Sequence, residues 1–170
     1  LAKEKGVDVL LRAADGLDAT VVVAGAGPEE DALRAIAPAG TRFLGNVERD
    51  ELPAWYATAD VLVLPSSSEP WGMPLNEGAA AGLPLVATTA VGAARELIED
   101  GVNGFRTRPG DVEALRDALR RLVDDEAFRR ACGARSAQLA RRFTADSWAA
   151  AVAPALAPAQ PTGRHPSRST

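Results

Sequence analysis

Short, β-branched runs alternating with longer segments of helical periodicity constrain this chain more than any other feature. The clearest run spans residues 19–24 (ATVVVA) and stops at Gly25. A short, β-branched run of this kind predicts a strand covered on both faces. Residues 41–44, 61–64 and 85–87 read as further short strands, and loops open near Gly45, Ser66 and Thr88. Between the runs, apolar spacing predicts helices over 5–15, 28–37, 50–59, 75–81 and 93–98. Further helices are expected over 112–123, 126–142 and 146–153, with Asp111 as an N-cap and Gly82 as a C-terminal stop. Strands alternating with helices imply an α/β fold, a Rossmann-like parallel sheet with helices on both faces. In such sheets ligands bind beyond the C-terminal ends of the strands. The loops at Gly25, Gly45, Ser66 and Thr88 are therefore the first places to look for chemistry.

Composition narrows the function classes. The 170 residues fit one domain, expected over 1–153, followed by a flexible Pro/Ser/Arg-rich tail over 154–170. A net charge of -4, with Arg mixed among Asp and Glu, gives no field for nucleic acid and no polybasic membrane patch. Cys132 is the single cysteine, which excludes an internal disulfide and a cysteine metal cluster. His165 is the single histidine and lies in the tail, so a Ser-His-Asp triad, a zinc-type ligand set and a histidine base are all disfavoured. No stretch approaches the ~20 apolar residues of a spanning helix, and no secretory signal is visible. The expected location is cytoplasmic. Because the chain opens at Leu1 on what reads as a helix entry, it is expected to be a piece of a longer protein.

The most specific string is Glu69-Pro-Trp-Gly-Met-Pro-Leu-Asn-Glu77-Gly-Ala-Ala-Ala-Gly82-Leu-Pro84. It sets one glutamate in a loop after a strand and a second within the next helix. A carboxylate can accept hydrogen bonds from two sugar hydroxyls, strengthened by its charge. The helix start offers backbone N–H groups to hydroxyl or phosphate oxygens. Pro74 has no N–H, so the donors would be Gly72, Met73 and Leu75.

This string resembles the donor-site signature of family 4 retaining glycosyltransferases, whose fold is called GT-B. The resemblance extends in order from Leu1 to about Trp148. It includes Leu1-Ala-Lys-Glu-Lys5-Gly6, Val22-Val-Ala-Gly25-Ala-Gly27-Pro28, Phe43-Leu-Gly45 and Ala59-Asp60-Val-Leu-Val-Leu-Pro65-Ser66. It continues through Gly92, Glu96, Asp100-Gly101-Val-Asn-Gly104 and Pro109-Gly110-Asp111. By resemblance the chain is the C-terminal, donor-binding domain of a GT-B enzyme, with its first strand missing. Glu77 is then the carboxylate for the nucleotide ribose, and Glu69 the one facing the donor sugar beside the Gly72 and Met73 amides. Lys5 is the cation for the diphosphate; its usual Arg partner would precede Leu1. Val47 follows the turn that positions the base, and Gly25 lies in the second-strand turn. Gly78 stands where alanine is more usual, with little consequence expected. Trp71 suits either the sugar pocket or the core, whereas Trp55 and Tyr56 read as core residues.

The resemblance implies transfer of a sugar from a nucleoside diphosphate sugar to an acceptor hydroxyl. No metal and no cofactor are implied, since the nucleotide sugar is a substrate. The other partner is the missing N-terminal domain, which would supply the acceptor site and any peripheral membrane contact; the fragment alone is expected to be inactive. A GT-B nucleotide-sugar epimerase and a non-enzymatic nucleotide-sugar-binding module remain open. A dinucleotide oxidoreductase is disfavoured, because Glu30 stands where the third glycine of a dinucleotide fingerprint belongs.

Overall fold

The computed structural model describes residues 1–156. A 3-10 turn at Lys3–Lys5 leads into α1 (Val7–Ala14), β1 (Val22–Ala24), α2 (Glu30–Ile36), β2 (Arg42–Gly45) and α3 (Leu52–Thr58). There follow β3 (Leu62–Leu64), α4 (Met73–Ala80), β4 (Leu85–Thr88), α5 (Ala94–Leu97) and β5 (Gly104–Thr107). The chain closes with α6 (Val112–Asp124), α7 (Glu126–Ala140), a second 3-10 turn and α8 (Ala145–Leu156). α8 continues through Pro154, so the segment expected to be a tail begins within a helix. Its remainder, with His165, lies outside the described residues.

All strand pairings within the named strands are parallel, as expected, but they form two ladders rather than one sheet. β1 pairs with β2, while β4 lies between β3 and β5, with Leu62 opposite Leu85 and Leu85 opposite Gly104. The opening residues span the C-terminal ends of both ladders. Glu29 N–H donates to Leu1 O at 3.2 Å, and Ser67 N–H to Glu4 O at 2.8 Å.

β4 is buried along its whole length, and its alternating side chains define the two halves of the core. Leu85 and Ala87 join Leu75 and Ala79 of α4 and Ala94 and Leu97 of α5. Val86 points the other way, to Val9 and Ala13 of α1, Leu115, Leu119 and Leu122 of α6, and Cys132 of α7. Helices thus cover both faces of this ladder. Burying each such aliphatic side chain contributes roughly 1.5–3 kcal/mol.

Three further sequence expectations need correction. β1 is not covered on both faces: Val23 is buried, but Val22 is 43% exposed and Ala24 is open. It has one paired neighbour, and β-branched residues suit a half-covered strand equally well. β5 was not expected, because Gly104-Phe-Arg-Thr107 lacks a β-branched run; β4 alongside and the packing of Phe105 on Phe128 define it. Trp55 and Tyr56 are not core residues, for α3 contributes no buried side chain. At Gly78 an alanine Cβ would lie 2.4 Å from Leu62 Cδ2, the end of a side chain that can turn aside, so α4 packs closely on β3 there.

Asn103, fully buried, uses its amide completely. Nδ2 donates to Leu97 O at 2.8 Å and Ser136 Oγ at 3.1 Å, while Oδ1 accepts from Glu99 N–H at 2.7 Å. Asn103→Ala should therefore cost about 2–4 kcal/mol in urea denaturation, by stranding several polar groups. A loss below about 1 kcal/mol would show that these groups find other partners.

Candidate functional site

The loop after β3 carries the first glutamate and is fastened to the segment after β4. Glu69 N–H donates to Ala90 O at 3.4 Å, Gly92 N–H to Glu69 O at 3.1 Å, and Ala93 N–H to Trp71 O at 2.8 Å. Gly72 then turns the chain into α4 with φ 96°, a left-handed conformation that disfavours a side chain. A Cβ at Gly72 would also lie 2.7 Å from Val91 Cγ1 and 2.9 Å from Leu64 Cδ2. Trp71 ties the loop to α4, its Nε1 donating to Asn76 Oδ1 at 2.8 Å while its ring stays partly exposed.

The helix start offers fewer free donors than its sequence suggests. Among the described residues, the N–H groups of Gly72 and Met73 meet no acceptor. Leu75 N–H is taken by Gly72 O at 2.9 Å, and the Leu75 side chain is fully buried in the core. Leu75 is therefore a packing residue, and the amides left for a ligand are those of Gly72 and Met73.

Lys5 reaches the same loop. The bond from Ser67 N–H to Glu4 O docks the first 3-10 turn beside it, and Lys5 Nζ lies 2.8 Å from Glu69 Oε2. The Lys5 side chain is 46% exposed and that of Glu69 19%. The resemblance gives these residues to different parts of a donor, whereas here they neutralise each other. An ion pair with this much solvent contact is worth no more than about 1 kcal/mol, so a more highly charged ligand can displace it.

Glu77 lies one turn beyond Met73, on the same side of α4. Its Oε2 accepts from Tyr56 Oη at 2.6 Å. Both residues line a cavity of about 490 Å³ with Arg49, Leu52, Pro53 and Ala81. Glu69 lines a second cavity of about 440 Å³, with Ser68, Pro70, Thr89, Gly92 and Arg95. The two glutamates thus serve two separate concavities. Arg49 and Arg95 were not singled out from the sequence, and Tyr56 was read there as a core aromatic; nothing in its local sequence signals the bond to Glu77.

Two other expected residues lie apart from these cavities. Val47 is half-buried after β2 and lines neither, while Arg49, two residues on, takes part. Gly25 donates its N–H to Gly45 O at 2.7 Å, which gives it a structural task joining the β1 and β2 turns. Among the described residues, no group of three or more His, Cys, Asp or Glu side chains is placed to hold a metal ion. No described helix is long and apolar enough to cross a membrane.

The family model of the glycosyl transferases group 1 matches residues 1–139. The chain belongs to that family. Curated relatives include the glycogen synthase of Mycobacterium tuberculosis (strain H37Rv), 37% identical over 158 residues, covering 86% of this chain and 37% of that protein. The D-inositol 3-phosphate glycosyltransferase of Xylanimonas cellulosilytica is 38% identical over 177 residues, covering 96% and 41%. This group 1 chain therefore spans well under half the length of these relatives. Anabaena HepE, solved in complex with UDP-glucose, matches with a TM-score of 0.80 at 26% identity, over 92% of this chain and 46% of that one. The C-terminal domain of a group 1 protein from Francisella tularensis, LpcC, matches with a TM-score of 0.75 at 28% identity, over 83% and 80%. The α/β architecture is that of GT-B glycosyltransferases.

Because the Lys5–Glu69 pair faces solvent, Lys5→Ala should change stability by less than about 1 kcal/mol in urea denaturation. A larger loss would make the pair a structural tie and not a pair of groups held for a ligand.

Proposed function

We propose that this group 1 domain binds the nucleoside diphosphate sugar donor of a retaining glycosyltransferase. One observation carries the reading: Glu69 and Glu77 line separate cavities on either side of an α4 start with two unpartnered amides. The nucleoside belongs with Glu77, whose carboxylate takes the ribose hydroxyls while Leu52 and Pro53 offer apolar surface to the base. The sugar belongs with Glu69. The diphosphate belongs between them, at the Gly72 and Met73 amides, where a helix start favours negative charge. Val47 and Gly25, which line neither cavity, are given no direct contact with the donor.

Lys5 supplies the cation for the diphosphate. When a donor enters, its phosphates replace Glu69 as the partner of Lys5, which frees Glu69 for sugar hydroxyls. In the transfer, the bond from the anomeric carbon to the diphosphate breaks and one to the acceptor oxygen forms. The acceptor hydroxyl loses its proton, and the leaving diphosphate gains the charge that Lys5 and the helix start stabilise. Retained anomeric configuration is part of the proposal and rests on the likeness of the Glu69–Glu77 string to retaining enzymes. The acceptor and the residue that takes its proton are assigned to a facing domain, because water must be excluded for these charges to act at strength.

Support also comes from HepE, which is described in complex with UDP-glucose and shares this fold. The test is calorimetric titration with UDP-, GDP- and ADP-glucose and with NAD. At least one nucleotide sugar should bind more tightly than NAD. Glu77→Gln should weaken that binding about tenfold or more, since hydrogen bonds to a charged group are worth roughly 1.5–3 kcal/mol. Preference for NAD, or unchanged affinity in Glu77→Gln, would overturn the reading.

A further inference from the structure

We propose that Tyr56 is the positioning residue for the ribose-binding carboxylate: its phenol proton, donated to Glu77 Oε2, fixes the orientation in which Glu77 meets the two ribose hydroxyls. The inference rests on the donor-binding reading above and adds a residue to it. Tyr56 Oη lies 2.6 Å from Glu77 Oε2, a length typical of a hydrogen bond to a charged oxygen. Among the described residues, no other side chain reaches the Glu77 carboxylate within hydrogen-bond or ion-pair distance. Without this bond an exposed glutamate would sample several rotamers, and ordering it would oppose each binding event.

The direction of donation follows from the environment. Burial, then the hydrogen bond to Glu77, then the negative charge of Glu77 all push the Tyr56 phenol well above its ordinary value. The phenol therefore keeps its proton near neutral pH and acts as the donor. Glu77 Oε2 accepts that hydrogen bond, and both residues line the same cavity. The bond also links α3, which has no buried side chain, to α4. A purely structural tie is thus the competing role, and the experiment must separate the two.

Tyr56→Phe removes the hydroxyl and keeps the ring. Binding is measured for UDP, GDP and ADP and for the 2′,3′-dideoxy counterpart of each. The wild-type protein, Tyr56→Phe, Glu77→Gln and the double variant are compared. For whichever ribonucleotide binds, Tyr56→Phe should weaken binding about fivefold to tenfold. It should leave the dideoxy counterpart unaffected and add almost nothing to Glu77→Gln. An equal loss for ribose and dideoxyribose ligands would mean that Tyr56 shapes the cavity without acting through ribose, and the inference would fall. No loss in Tyr56→Phe, with a clear loss in Glu77→Gln, would also overturn it while leaving the donor-binding reading intact. Unchanged ribonucleotide binding in Glu77→Gln would remove that reading, and this inference with it.

Discussion

Leu85, Val86 and Ala87 are almost completely shielded from water, and the rest of the architecture depends on that strand being covered on both faces. Leu85 and Ala87 hold α4 and α5 on one side; Val86 holds α1 and α6 on the other. A strand so placed cannot slip by one residue without exchanging its two sets of side chains between faces. Its register with β3 and β5 is thereby fixed, and with it the positions of the loops at the strand ends. The loop after β3 bearing Glu69 and the segment after β4 meet as neighbours for this reason, through the bonds of Glu69, Trp71 and Gly92.

The candidate site adds charge to that frame at small energetic cost. Lys5, Glu69 and Glu77 are all at least partly in solvent, so none demands the desolvation that would make a buried ion expensive. Precision comes from the backbone instead. Gly72 permits the abrupt entry into α4, and the docking of Glu4 on Ser67 brings Lys5 to Glu69. Stability and the proposed donor recognition therefore rest on largely separate groups, and substitutions such as Asn103→Ala and Lys5→Ala should act on one without the other.

Much of this was legible in the residues. The α/β alternation, the parallel pairing, the Asp111 cap and the placing of two glutamates around a helix start follow from local pattern and turn chemistry. Asp111 Oδ1 does accept from Ala114 N–H, at 3.0 Å. What escaped notice depends on tertiary contact. β5 is a strand because β4 lies beside it, not because of its own composition. Tyr56 reads as a core aromatic until α3 and α4 are placed together. The Leu75 amide looks available until the first turn of α4 closes on it. The mutual neutralisation of Lys5 and Glu69, 64 positions apart, has no local signature at all.

In the proposed donor site, Lys5, Glu69 and Glu77 act together, and the Lys5–Glu69 pair is exchanged for a diphosphate. A crystal structure of the protein with UDP-glucose, or with whichever nucleotide sugar binds best, tests it most directly. Lys5 Nζ is expected on a diphosphate oxygen and away from Glu69, with the sugar beside Glu69 and the ribose hydroxyls on Glu77. A nucleotide bound elsewhere, with the Lys5–Glu69 pair intact and Glu77 touching only Tyr56, would contradict it.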